Sequence, residues 1–123
     1  MTIDMHLLFT GSDDQTIGIW ELQNNYNVGF LQGHKDSIQD MIVLPDIGLL
    51  VSCSYDKNLI VWKYHEEREL ARLERSEELR CMDYLKSLRT LFVGTNDKII
   101  LTIPLEEILQ GTGDSKYAFN KDN

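Results

Sequence analysis

The stretch Leu49–Tyr64, "LLVSCSYDKNLIVWKY", holds two short apolar runs around a polar turn that carries Asp56, with Trp62 near its end. Forty-two residues earlier, Leu7–Leu22 reads "LLFTGSDDQTIGIWEL". The shift of 42 that lays Trp20 on Trp62 also lays Leu8 on Leu50, Ser12 on Ser54, Asp14 on Asp56 and Ile19 on Val61. A third, weaker copy, "TLFVGTNDKIILTI" at Thr90–Ile103, follows at a shift of 41 and lays Asp97 on Asp56, Phe92 on Val51 and Ile103 on Trp62. The intervening segments match too, with Met41 on Met82 and Leu44 on Leu85. A period of this size marks a structural repeat whose units stack.

Each copy reads as short strands. Val51–Ser54 and Leu59–Trp62 are rich in β-formers, and the Asp and Asn of "YDKN" between them favour a tight turn. A strand at Ser37–Val43 precedes them, set off by Pro45 and Gly48 in "LPDIG". A further strand is expected at Asn27–Gln32 and again at Arg68–Leu73. Four strands in about 42 residues make one antiparallel sheet per repeat. The segment Glu66–Arg80, "EERELARLERSEELR", is full of helix formers, but the repeat register assigns it strand, turn and strand, because the matching segment one period earlier has no helical character.

The formal net charge of −8, from 20 acidic and 12 basic residues, argues against a nucleic-acid backbone or an anionic membrane as partner. No apolar run has the length of a membrane span. The start, "MTIDMHLLFT", lacks the pattern of a secretory signal. Cys53 and Cys81 are too few and too separated for a zinc cage or a disulfide scaffold, and each is expected to be a small buried side chain. Together these features fit a reducing, cytoplasmic compartment.

Gly33-His34 followed by Ser52, Asp56 and Trp62 resembles the signature of the WD repeat, the four-stranded blade of a β-propeller. The likeness spans roughly residues 7 to 105. It is good in the second copy and incomplete in the first, which has Asp14 and Trp20 but no Gly-His before them. It is poor in the third, where Glu74-Arg75, Val93 and Ile103 replace the Gly-His, Ser and Trp. The resemblance implies an all-β partial propeller of four-stranded antiparallel blades, incomplete on its own. Residues 1–32 form a partial first blade that starts at its second strand, 33–73 a complete second blade, 74–110 a degenerate third, and 111–123 a flexible tail. A fourth strand for the third blade is expected only if "KYAFN" (Lys116–Asn120) supplies it.

The resemblance also implies a role for the signature residues. Asp56 accepts from His34, His34 reaches Ser52, and the Ser52 hydroxyl meets the Trp62 indole N–H, while Thr10, Asp14 and Trp20 are the remnant of such a network in the first blade. His34, Ser52 and Asp56 are therefore structural rather than a hydrolytic triad, and no nucleophile elbow surrounds Ser52 or Ser54. His6 and His65 lack partners at metal-ligand spacing, and "GTGDS" (Gly111–Ser115) lacks the Lys of a phosphate loop, so neither a metal nor a cofactor is expected.

About two and a half blades fall short of the four to eight that close a propeller. The expected partners are accordingly proteins, above all further WD-repeat blades from the same longer chain or from a second chain. WD propellers as a family are non-enzymatic platforms for protein assembly. The expected function is such a scaffold in a cytoplasmic or cytoskeletal complex. A ciliary axoneme is favoured among these because "DSIQDMIVLPDIGLLVSCSYDKNLIVW" is similar to repeats of large ciliary WD proteins. The alternative is a regulatory peptide-recognition module such as a substrate receptor. From loop position alone, Lys35, Tyr55 and Lys57 are the candidate interaction residues.

Overall fold

The computed structural model describes residues 2–109 apart from Met5 and Asn25. Three antiparallel sheets follow one another along the chain. The first comprises β1 (Thr2–Asp4), β2 (Leu7–Gly11), β3 (Thr16–Glu21) and β4 (Tyr26–Gln32), in that order. The second comprises β5 (Ile38–Leu44), β6 (Leu49–Ser54), β7 (Asn58–Lys63) and β8 (Arg68–Glu74). The third comprises β9 (Leu79–Leu85), β10 (Thr90–Thr95) and β11 (Ile100–Pro104), and a short helix α1 (Leu105–Leu109) follows it.

Registers repeat with the sequence. Trp20 pairs with Leu8 as Trp62 pairs with Leu50 and Ile103 with Leu91. The hairpins β2–β3, β6–β7 and β10–β11 turn through a left-handed residue at equivalent places, Gln15, Lys57 and Lys98. One-turn 3-10 helices at Pro45–Ile47, Tyr64–Glu66 and Lys86–Leu88 close on left-handed Gly48, Glu67 and Arg89. Gly48 fits that conformation without a Cβ clash.

The sheets stack face to face, and two apolar layers form between them. Phe9, Ile17, Ile19 and Leu31 of the first sheet meet Leu50, Ile60, Trp62 and Tyr64 of the second. Leu49, Val51, Cys53, Leu59 and Val61 on the other face of the second sheet meet Leu91, Val93 and Ile103 of the third, together with Leu105, Ile108 and Leu109 of α1. Both faces of the second sheet are thus covered. This is why every residue of β6 is buried and why "LLVSCS" shows no alternation of apolar and polar residues. Polar links add to the layers. Asp40 accepts the Met82 N–H at 2.8 Å, and Arg72 donates to the Gly33 carbonyl at 3.0 Å.

Glu66–Arg80 is a 3-10 end, a strand, a turn and a strand, so the repeat register prevails over helix propensity. The first sheet has the strand expected to be missing, because Thr2–Asp4 pairs with β2. Its link to β2 is two residues long instead of the four between β5 and β6, which displaces it from the 42-residue register and hides it from alignment. Cys81, expected to be buried, is exposed on β9, whereas Cys53 is buried. Lys116–Asn120 and the tail 111–123 lie outside the described residues.

Candidate interaction surface and its hydrogen-bond frame

The second sheet carries the full polar chain at the end where the β6–β7 turn lies. Trp62 Nε1 donates to Ser52 Oγ at 2.8 Å, Ser52 Oγ lies 2.6 Å from His34 Nε2, and His34 Nδ1 lies 2.9 Å from Asp56 Oδ2. The Asp56 carboxylate only accepts, so Nδ1 bears the proton, Nε2 accepts from Ser52, and Ser52 keeps a lone pair for the indole. Asp56 also takes the Lys35 N–H and the Asn58 N–H, each at 2.8 Å. The Asp56 N–H in turn donates to Ser54 Oγ, which donates to the Asp36 carbonyl. One carboxylate thereby ties the loop before β5 to the β6–β7 turn. Gly33 is required here for space, because a Cβ would stand 2.9 Å from the Trp62 ring.

Burial of the imidazole lowers the His34 pKa against the opposing pull of Asp56, so the ring is neutral in the fold. Burial works the other way on Asp56, but the Lys35 N–H, His34 and the Asn58 N–H outweigh it and its pKa is lowered. A neutral His with one proton satisfies every member of the chain. Ser52 points into this chain and makes no approach to a cleft, so the geometry is that of a cross-brace.

In the first sheet the same positions part company. Trp20 Nε1 donates to Thr10 Oγ1 at 2.9 Å, as expected. Asp14 does not join them. It accepts the Thr16 N–H at 3.0 Å and the Thr16 hydroxyl at 2.7 Å, and its own N–H meets Ser12 Oγ. Ser12 and then Thr16 hold its pKa below the ordinary value.

The braces display the loops. Lys35 and Lys57 are exposed and Tyr55 is half-buried, all at the end of the second sheet that Asp56 organises. At the opposite end, between the β5–β6 and β9–β10 connections, a groove of about 450 Å³ is lined by Val43, Leu44, Pro45, Ile47, Tyr84 and Arg89. Lys86 bridges it to Asp46 at 2.9 Å. A third feature is the free face of the first sheet. The outer strand β4 sets Tyr26, Val28 and Phe30 in a row, 52%, 41% and 54% exposed. The groove and this row were absent from the loop-based expectation. The alternation in "YNVGFLQ" was the available signal for the row; the groove forms between loops forty residues apart and had none. No group of three or more His, Cys, Asp or Glu among the described residues is placed to hold a metal ion. No helix among them is long and apolar enough to cross a membrane.

The family "WD domain, G-beta repeat" matches residues 2–21 and 25–63. The chain is 32% identical over 112 residues to nuclear distribution protein PAC1 of Komagataella phaffii, covering 87% of this chain and 22% of that protein. It is 34% identical over 71 residues to protein HIRA of Dictyostelium discoideum, covering 49% and 6%, and 25% identical over 114 residues to protein groucho of Drosophila melanogaster, covering 93% and 15%. The chain thus spans less than a quarter of the length of these relatives. The chain belongs to the WD-repeat family, and its sheets are blades of a partial β-propeller. WD-repeat domains mediate protein–protein interactions, and the family is typically non-enzymatic.

Proposed function

We propose that this chain is a non-enzymatic scaffold that contributes propeller blades to a larger protein assembly. The observation that carries this reading is a contrast between equivalent faces. On the second sheet, Leu50, Ile60 and Trp62 are sealed under the first, with Trp62 only 1% exposed. On the first sheet, the matching face carries Leu8 and Trp20, both partly exposed, and Phe30 at 54%. An apolar face of this kind is an interface. The occupant with matching chemistry is another blade, from the same longer chain or from a second chain. Blade units at 1–32, 33–73 and 74–110 follow from the repeat. A cytoplasmic setting, and within it a cytoskeletal or ciliary assembly, is the favoured location, supported by the likeness of the second blade to repeats of ciliary WD proteins.

Affinity purification of the native protein, with intact mass and partner identification, tests this. A native chain with further repeats, or a stoichiometric WD-repeat partner, supports the reading. A solitary chain of 14.3 kDa with no protein partner overturns it. A second reading, a peptide-recognition module, is favoured by the groove beside Ile47 and Tyr84. Loss of a captured peptide on Tyr84→Ala, with the fold intact, would select it.

A further inference from the structure

The junction between the first and second sheets holds a seat for one backbone residue. Gly33, the residue after β4, lies against Trp62, Glu69 and Arg72 of the second sheet. Arg72 donates to the Gly33 carbonyl at 3.0 Å and is itself held by Glu69 at 2.8 Å. A Cβ on Gly33 would stand 2.9 Å from the Trp62 ring, 3.2 Å from Glu69 Oε1 and 3.3 Å from Arg72 Nη2. The seat grips a carbonyl by a charged donor and refuses a side chain.

The first sheet carries the same seat, in register, on its free face. Trp20 pairs with Asn27 as Trp62 pairs with Glu69, and Gly18 pairs with Phe30 as Ile60 pairs with Arg72. Both registers shift at the same place, between Ile19 and Trp20 and between Val61 and Trp62. Trp20, Asn27 and Phe30 therefore stand where Trp62, Glu69 and Arg72 stand.

The chemistry of this second seat is different. Phe30, 54% exposed, has no side-chain donor for a carbonyl. Asn27 spends both Nδ2 hydrogens on its own sheet, on the Ile19 carbonyl at 3.2 Å and the Gly29 carbonyl at 3.1 Å. The one indole N–H of Trp20 goes to Thr10. The seat thus lacks the ion pair that crowds Gly33, and it leaves aromatic surface in its place. The third copy shows that the seated residue changes with the seat: there Ile103 holds the Trp position and Glu74 the position of Gly33.

On the reading that another blade covers the first sheet, we propose that this neighbour sets an apolar side chain, at its equivalent of Gly33, against Trp20 and Phe30. Phe30 then selects the neighbour. A blade ending in glycine would leave both rings uncovered and its own carbonyl without the donor that Arg72 supplies at the other junction.

The test places a photoreactive benzoyl-phenylalanine at position 30 of the native protein and maps the cross-link by mass spectrometry. A cross-link to an aliphatic or aromatic residue just after the outer strand of a blade is expected. A cross-link to glycine or a charged residue at that place overturns the inference and leaves the covering blade standing. A cross-link outside any blade, or none, overturns both. Hydroxyl-radical footprinting gives a second measurement. Phe30→Arg should raise Trp20 oxidation by roughly tenfold, as loss of an interface anchor does, while Trp62 stays protected and Phe30→Leu keeps Trp20 covered. Unchanged Trp20 oxidation in Phe30→Arg would overturn the assignment of Phe30 to the seat.

Discussion

The first and third blades treat the positions of the polar chain that braces the second in different ways. In the third, the Ser position is Val93 and the Trp position is Ile103, both fully buried among apolar side chains. The partners left together, so no donor was stranded. In the first, the Trp and hydroxyl remain. Trp20 and Thr10 satisfy each other, and Asp14 closes its own turn with Ser12 and Thr16. The network is thus separable from the blade. The hairpin with its left-handed residue recurs in all three copies, while among the described residues the full brace is seen in the second blade, where the preceding loop supplies His34.

The largest effect should fall on the two tryptophans. Trp62→Ala removes a ring buried on all sides and the N–H that Ser52 accepts, and a loss of about 3–5 kcal/mol is expected. Trp20→Ala, on a partly exposed face, should cost about 1–2 kcal/mol. Denaturant unfolding of both variants checks the ratio. Equal losses would mean that the free face of the first blade is covered in solution.

The two aspartates come next. Asp56→Ala leaves the Lys35 N–H, the Asn58 N–H and the His34 ring without their acceptor, and a cost of about 2–3 kcal/mol is expected. Asp14→Ala removes only contacts within one exposed turn and should cost about 1 kcal/mol or less. A smaller loss at Asp56 than at Asp14 would break the distinction between a brace and a turn.

How much of this was legible beforehand depended on where the information lay. Trp62, Asp56 and Ser52 announced the second blade because a fixed spacing carries a fixed geometry, and the register rightly overruled the helix formers at Glu66–Arg80. The first strand was missed because its hairpin to β2 is shorter, which breaks the period on which alignment depends. Cys81 was misjudged because β9 has neighbours on fewer sides than β6, a fact of stacking order that no local run reports. Helix α1 was invisible for a similar reason. Five residues have little intrinsic helicity, and burial of Leu105, Ile108 and Leu109 against the sheets holds them.

Acid should separate the second blade from the others. His34 has a lowered pKa in the fold, so the unfolded chain takes up a proton first, near its ordinary 6.5. Stability is therefore fully present above that pH and is lost as pH falls toward the folded value. Asp56, also lowered, adds a second loss below its ordinary 3.8. Stability measured from pH 7.5 down to 5 should decline, and His34→Gln should flatten that part of the curve. A slope unchanged by the substitution would place the titrating group elsewhere.

The smallest effects test the turns rather than the brace. Gly48 holds φ at +68, a conformation that a Cβ disfavours by about 1–2 kcal/mol, so Gly48→Ala should destabilise by about 1 kcal/mol. Lys98 holds φ at 62 in the turn of the third blade with a side chain that is exposed. Lys98→Gly relieves the same clash but loosens the unfolded chain, and the two terms oppose each other. A net gain of a few tenths of a kcal/mol is expected, since the relief slightly exceeds the entropy. Opposite signs for the two substitutions in thermal unfolding would show that the β5–β6 and β10–β11 turns, unlike the polar brace, follow one backbone rule. A loss at Lys98→Gly would mean that the lysine side chain itself holds the third turn, and that this blade has replaced its brace with a contact of its own.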